Sequence, residues 1–219
     1  MLSQQQNLEE EMPNKQDTTK VQQQKVFKIS DNNFDFDQFY FSYAKYHYNS
    51  VNKFLHMIFI PCLVFTLFGI SLHGPKMRYD ICHGFYVQLD IPMVLIIVLG
   101  GTYLLVDKLT AIFTITLELI AYIWSLNLYY NDKDQFDGNH LSVMLYIHVI
   151  SWIAQFIGHF IYERRAPALT DNVLLMFVAP FFFGFEVLNA FGYKKDRIQE
   201  VNKVLVQEID QYRKGKKIM

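Results

Sequence analysis

Charged side chains are nearly absent from five long stretches of this chain. These stretches are 54–72, 91–106, 109–130, 141–162 and 172–192. Together they contain only Glu118 and Glu186, although the whole chain has 20 basic and 21 acidic residues. Because a helix rises about 1.5 Å per residue, about 20 apolar residues cross the hydrocarbon core of a bilayer. The pattern excludes an ordinary soluble domain and predicts an all-α, polytopic membrane helix bundle with four to five hydrophobic segments, flanked by interfacial amphipathic helices.

The chain also has no net positive charge and few cysteines. The formal net charge is −1, which gives no reason to expect the concentrated basic surface that nucleic-acid binding requires. Of the two cysteines, Cys62 lies within the first apolar stretch and Cys82 in the polar connection 73–90. A bridge between them would have to reach from bilayer depth to the membrane rim. Nucleic acid is therefore excluded as a partner, and a disulfide framework is not expected.

The amino-terminal segment lacks the features of a targeting sequence. It is rich in glutamine, and the first arginine of the chain is Arg78. This composition fits neither a signal peptide nor a standard transit peptide, and its low hydrophobicity predicts a disordered tail. We therefore expect a polar tail, a membrane domain and a basic amphipathic C-terminal helix. Their predicted bounds are 1–35, 36–193 and 194–219.

Two segments outside the apolar stretches have amphipathic spacing. The first carries aromatic residues at helical intervals, as expected for a helix at the level of the lipid headgroups. They are Phe36, Phe39, Tyr40, Tyr43 and Tyr46. The second is the C-terminal segment, whose apolar stripe consists of Ile198, Val201, Val204, Leu205, Ile209 and Tyr212. Because it is also basic, we expect it to lie on an anionic membrane surface.

The fifth apolar stretch allows two topologies. Pro180 lies near its middle, so the stretch is either a kinked span or a re-entrant pair of half-helices. A full crossing places the two termini on opposite sides of the membrane, whereas a re-entrant segment places them on the same side. The distribution of Lys and Arg does not separate these alternatives.

Histidines at the ends of the apolar stretches predict a metal site. His47 and His56 precede or open the first span, and His159 lies near the end of the fourth. Three further crossings after the first span return the chain to its starting side, so these three side chains should converge on one membrane face. Imidazole is the commonest metal ligand in proteins. His148 is eleven residues before His159, about 16 Å deeper in a helix, and cannot bind the same ion.

Two acidic residues have open interpretations at this point. Glu163 follows His159 by four residues, so both side chains lie on one helix face at the membrane rim. Glu118 is the only charge in the third span and is either a buried neutral carboxyl or a member of the site.

Three motifs resemble a known family of small membrane proteins. The first runs from Tyr46 to His56 with the sequence YHYNSVNKFLH and is followed by Pro61. The second is SWIAQFIGH at 151–159, followed by ERRAPAL at 163–169 and by Asp171 and Asn172. The third joins Ala179 and Pro180 to Phe185 and Glu186. Together, over roughly 39–193, they resemble the 2-hydroxy-palmitic acid dioxygenase family.

The resemblance implies an Fe(II)-dependent oxygenase that shortens long-chain 2-hydroxy fatty acids by one carbon during sphingoid base catabolism in the endoplasmic reticulum membrane. It carries over His47, His56 and His159 as iron ligands. Glu163 and Glu186 carry over as motif members and are the candidate catalytic residues. Arg164 and Arg165 are candidate partners for the substrate carboxylate, although positive charge at a helix end also occurs as simple membrane flanking.

A non-catalytic function is the alternative. The same fold would then serve as an accessory subunit of a larger membrane complex, with the mitochondrial inner membrane as the alternative compartment. Residues 1–35 would contact the other subunits, and the connection 73–90 would be an insertion.

Overall fold

A computed structural model describes residues 35–82, 85–166 and 173–216. Within them, three helices are long and apolar enough to cross a membrane. They are α2 (Ser50–Ser71), α4 (Lys108–Tyr130) and α6 (His140–Ile157) with its π-helical continuation Gly158–Glu163. A shorter apolar helix, α3 (Ile91–Val106), packs beside α4. The predicted all-α membrane bundle is confirmed.

Shorter elements complete the described chain. They are α1 (Phe36–Ala44), α5 (Asp132–Phe136), the 3-10 helix Val173–Val178, α7 (Ala179–Ala190) and α8 (Lys195–Lys216). Of the predicted tail 1–35, only Asp35 is among the described residues. Its carboxylate accepts a hydrogen bond from the backbone nitrogen of Asp37 at 3.0 Å and so caps α1. The motif residues 167–172 and the last three residues lie outside the described ranges.

The polar connection 73–90 contains a two-stranded antiparallel hairpin. Strand β1 (Lys76–Cys82) pairs with β2 (Phe85–Asp90), and Lys76 lies opposite Asp90. Asp90 then begins α3, because its carboxylate accepts a hydrogen bond from the backbone nitrogen of Met93 at 3.1 Å. The hydroxyl of Tyr122 donates to the same carboxylate at 2.7 Å. The hairpin is thus joined to both α3 and α4 at one end of the bundle.

Close approaches fix the directions of the long helices. A methyl group built on Gly69, late in α2, would lie 2.8 Å from the Cγ atom of Met144 and 3.3 Å from the Oγ atom of Ser125. The end of α2 therefore meets the end of α4 and the beginning of α6. Accordingly, α4 runs parallel to α2 and α6 runs antiparallel to both, while α3 carries the chain back between α2 and α4.

The described part of the fifth stretch, residues 173–192, returns to the membrane face at which α6 ends. Tyr193, just after it, donates a hydrogen bond to Asp107 at 3.0 Å, and Asp107 joins α3 to α4 at that face. In the middle of α7, Glu186 pairs with Lys53 in the first turn of α2 at 3.4 Å. These contacts favour the re-entrant alternative over a fifth crossing.

The C-terminal helix packs on protein through its apolar stripe. Four of its residues are buried in a core cluster together with α1 and α7. They are Ile198, Val201, Leu205 and Ile209. The guanidinium of Arg197 also forms an ion pair with Asp37 of α1. The sequence predicted a membrane-surface stripe here, whereas the stripe is covered because α1 and α7 present an aromatic face to it.

Candidate metal centre

Three buried histidines face one another at one end of the bundle. His47 lies in the turn between α1 and α2, His56 in the second turn of α2, and His159 in the π-helical turn after α6. One ring nitrogen from each lies within 4.8 Å of the other two. The ring centroids are 4.4 Å apart for His47 and His56 and 4.9 Å for each of the other pairs. The predicted convergence of the three side chains is confirmed, and their binding of a metal stays a prediction.

Backbone carbonyls orient two of the rings. The Nδ1 atom of His47 is 3.0 Å from the carbonyl oxygen of Tyr43, and that of His56 is 2.9 Å from the carbonyl oxygen of Asn52. A carbonyl only accepts hydrogen bonds, so each Nδ1 atom donates and each Nε2 lone pair is left for a metal. Burial lowers the pKa of His47 well below its usual range, and the two neighbouring imidazoles lower it further. The neutral form that binds metals is therefore favoured.

The third ring is placed by a change of helix type. The backbone widens into a π-helical turn at Gly158–Glu163, and such turns often occur at functional sites. A methyl group built on Gly158 would lie 2.3 Å from the Oδ1 atom of Asn52, so only glycine lets this turn approach α2. The Nδ1 atom of His159 has no hydrogen-bond partner within the described ranges.

The two predicted catalytic carboxylates have different contacts beside the histidines. Glu163 contacts the beginning of α2, and Glu186 contacts a lysine. The Oε1 atom of Glu163 accepts hydrogen bonds from the backbone nitrogen of Asn49 at 2.6 Å and from the amide of Asn52 at 3.4 Å. Glu186 pairs with Lys53, as described above. Neither carboxylate belongs to the group of ligand atoms close enough to share one ion, which among the described residues consists of the three histidines. Their catalytic role stays a prediction.

The two predicted substrate-binding arginines lie at the same rim. Arg165 donates a hydrogen bond to the carbonyl oxygen of Lys45 at 3.1 Å, and its guanidinium lies 4.0 Å from the ring centroid of Tyr46. Arg164 is exposed and ends the π-helical turn with a left-handed backbone, at a φ of 53°. Both are close in sequence to Glu163, and their binding of a carboxylate stays a prediction.

An apolar cavity of about 190 Å³ opens from the histidines into the bundle. All three histidines line it, and aliphatic and aromatic side chains form most of its remaining wall. Examples are Leu63, Leu67, Leu95, Leu99, Phe156 and Phe182. Such a cavity is suited to a hydrocarbon chain whose polar end meets the histidines.

Comparison with known proteins places the chain in a family. Residues 33–191 match the family described as 2-hydroxy-palmitic acid dioxygenase Mpo1-like. The chain belongs to this family. It is also 31% identical over 152 residues to the 2-hydroxy-palmitic acid dioxygenase MPO1 of Saccharomyces cerevisiae, a match that covers 69% of this chain and 78% of the yeast protein. No solved structure matches the chain.

His148 is separate from the centre, as the sequence predicted. Its Nδ1 atom is 2.8 Å from the hydroxyl of Thr66, and its Nε2 atom accepts a hydrogen bond from the indole of Trp152 at 3.0 Å. Both ring nitrogens are therefore engaged with neighbouring side chains. In this member of the Mpo1-like family, His148 lines the cavity but is not part of the histidine group.

Two further residues at the centre were not predicted as site residues from the sequence. The Tyr43 ring stacks on His47 at a centroid distance of 4.0 Å and on Phe182 at the same distance. Gln155 is buried and lines the cavity. Each precedes a histidine of the centre by four residues, so helical spacing from His47 and His159 is the signal that would have found them.

Proposed function

We propose that this protein is an Fe(II)-dependent dioxygenase that shortens long-chain 2-hydroxy fatty acids by one carbon in sphingoid base catabolism. The observation that carries the proposal is the position of three converging imidazoles at one end of an apolar cavity. The yeast relative, a 2-hydroxy-palmitic acid dioxygenase, supports the same substrate class and reaction type.

The donor set fits a non-haem iron ion. His47, His56 and His159 would hold it through ring nitrogens, and imidazole ligands suit iron as well as zinc and copper. Iron is favoured over these because the related protein is a dioxygenase. When bound, iron would supply oxygen activation and a Lewis-acidic position for the substrate's polar end.

The remaining residues of the site bind and shield the substrate. The apolar wall takes the acyl chain and keeps water from the histidines, and the stacked rings of Tyr43 and Phe182 form the wall beside His47. Arg164 and Arg165 lie at the rim, where a fatty acid's carboxylate would arrive, and charge-assisted hydrogen bonds are suited to hold it.

Contacts of the two carboxylates support a positioning role in this reaction. Glu163 joins the π-helical turn that carries His159 to the beginning of α2. Glu186 joins α7 to Lys53, one turn before His56 on α2. Both interactions hold elements that place the histidines, so we propose that these carboxylates act through the histidines' geometry.

The alternative of a non-catalytic accessory subunit is less well supported. Burying three imidazoles against one another costs desolvation free energy, and a purely structural role gives no reason for that cost. The bilayer is the expected environment because the long helices expose apolar side chains along their length. We propose the endoplasmic reticulum membrane as the compartment, with the mitochondrial inner membrane as the alternative.

Turnover by purified protein tests the proposal directly. The full chain, purified in detergent and supplied with Fe(II) and oxygen, should convert 2-hydroxypalmitic acid to pentadecanoic acid, measured by mass spectrometry. Palmitic acid, which lacks the hydroxyl, is the control substrate and should yield no shortened product. Iron-loaded protein that leaves 2-hydroxypalmitic acid intact would favour the accessory subunit.

A further inference from the structure

Two polar side chains face the apolar cavity without hydrogen-bond partners. Both amide atoms of Gln155 and the Oε2 atom of Glu118 have none among the described residues. The two residues are only 4% and 5% exposed, and both line the cavity. Buried polar groups in folded proteins are nearly always hydrogen-bonded, so these exceptions indicate a missing partner.

Several other buried polar side chains at membrane depth do have partners. The hydroxyl of Ser151, one turn before Gln155, donates to the carbonyl oxygen of Ile147 at 2.7 Å. Thr66 and Trp152 both bond to His148. The hydroxyls of Thr114 and Ser125 on α4 also have no partner among the described residues. Gln155 and Glu118 differ from these two because their side chains line the cavity.

Both residues lie away from the membrane rim, on the inner side of His159. Gln155 is one helical turn before His159 on the same face of α6, about 6 Å deeper. Glu118 is on α4, eleven residues after Asp107 and about 16 Å along the helix from that membrane face. Two different helices thus direct polar groups into the cavity just beyond the metal centre.

We propose that Gln155 and Glu118 form a hydrogen-bonding subsite for the 2-hydroxyl group of the fatty acid. This inference rests on the proposed function, in which the carboxylate lies toward the rim and the chain extends into the bundle. The first substituent on the chain then lies next to the histidines, on the side of Gln155. An amide donates and accepts hydrogen bonds, as a hydroxyl does, so the two groups satisfy each other.

The subsite discriminates against unsubstituted fatty acids. Palmitic acid would enclose Gln155 and Glu118 in hydrocarbon and leave their polar atoms unpaired, whereas the 2-hydroxy acid pairs them. Sites built to bind a substrate hydroxyl reject the analogue without it for this reason.

Ligand binding in the iron-loaded protein tests the subsite. The chain has two tryptophans, of which Trp124 is exposed and Trp152 lines the cavity. In a Trp124→Phe background, the fluorescence of Trp152 reports ligand binding without oxygen, so that no turnover occurs. The ratio of the dissociation constants for palmitic and 2-hydroxypalmitic acid measures the preference for the hydroxyl.

A Gln155→Leu variant should lower this preference about tenfold, as expected for losing one or two hydrogen bonds. Glu118→Leu should also lower it, and Glu118→Gln, which keeps hydrogen-bonding atoms, should lower it less. Ser151→Ala is the matched control on the same helix, since its hydroxyl is already bonded within α6, and it should keep the preference. Thermal unfolding of Gln155→Leu should be no easier than that of the parent, because the change removes an unsatisfied buried amide.

An unchanged preference in Gln155→Leu would overturn the subsite, as would a parent protein without any preference. A lower unfolding temperature with the preference retained would show that Gln155 instead holds structural water. The proposed function can be rejected independently of the subsite. If the preference for the hydroxyl depends on Gln155 but no pentadecanoic acid forms, the subsite stands and the dioxygenase assignment does not. Product formation with an unchanged preference rejects the subsite alone.

Discussion

The carboxylate of Glu163 accepts a hydrogen bond of 2.6 Å from the backbone nitrogen of Asn49, 114 residues earlier in the chain. This contact joins the π-helical end of α6, the last of the three candidate spans, to the beginning of α2, the first. Each of these two helix ends carries a histidine of the metal centre, His159 and His56. The centre is therefore assembled where the end of α6 and its π-helical turn meet the beginning of α2.

Residues beside His47 and Glu163 should be accessible from the same side of the membrane. Single cysteines at Tyr48 and Tyr162, which are 40% and 42% exposed, should react with an impermeant thiol reagent from one side of sealed vesicles. Tyr130→Cys, at the opposite end of α4, is the control and should react only from the other side. Labelling of the first two positions from opposite sides would contradict the helix directions and the centre.

The two alternatives for the fifth stretch predict different sides of the membrane for its end. Phe191 is 87% exposed after α7. A Phe191→Cys variant should react from the same side as Tyr48→Cys, because Glu186 and Tyr193 contact Lys53 and Asp107 at that face. Reaction from the side of Tyr130→Cys would instead show a fifth crossing.

Removal of one imidazole should remove the metal. His159→Ala should lose bound iron and activity together, because two ligands bind an ion much more weakly than three. Iron per protein, measured by mass spectrometry, checks this. His73→Ala is the control: the ring of His73 is 3.1 Å from His140 at the far end of the bundle, and the variant should keep its iron. Equal iron in the His159→Ala variant and the parent would exclude His159 as a ligand.

Two substitutions of Glu163 separate a positioning role from direct catalysis. Glu163→Gln keeps an acceptor for the backbone nitrogen of Asn49 and should retain most of the activity. Glu163→Ala removes the acceptor and should destabilise the protein by about 2 kcal/mol, the scale of a charge-assisted hydrogen bond. Activity and thermal unfolding are measured on both. If Glu163→Gln were stable, iron-loaded and inactive, the carboxylate itself would be required.

The glycine in the π-helical turn should not tolerate a side chain. Gly158→Ala places a methyl group 2.3 Å from the Oδ1 atom of Asn52 and should cost about 2 kcal/mol of unfolding free energy through overpacking. It should also lower iron affinity by moving His159. Gly101→Ala is the control, because nothing lies within 4 Å of its added methyl group. Replacement of a helical glycine by alanine there should be neutral or stabilising, and equal unfolding temperatures for the two variants would contradict the close packing at Gly158.

Much of the architecture follows from one-dimensional properties of the sequence. The length of each apolar stretch determines whether it can cross a bilayer, and the number of crossings determines which ends share a face. That is sufficient to bring His47, His56 and His159 together and to exclude His148, since depth along a helix is proportional to residue number.

The tertiary structure decided what depends on contacts between distant segments. Apolar composition is the same whether a stripe faces lipid or protein, so only packing shows that α8 lies on α1. The re-entrant alternative is favoured by an ion pair of Glu186 with Lys53 and a hydrogen bond of Tyr193 to Asp107. The unpartnered state of Gln155 depends on which atoms of other helices reach it. Glu163, Asn49 and Asn52 meet only after folding, because a hydrogen bond depends on distance and angle in space, and spacing along the chain does not specify these between helices.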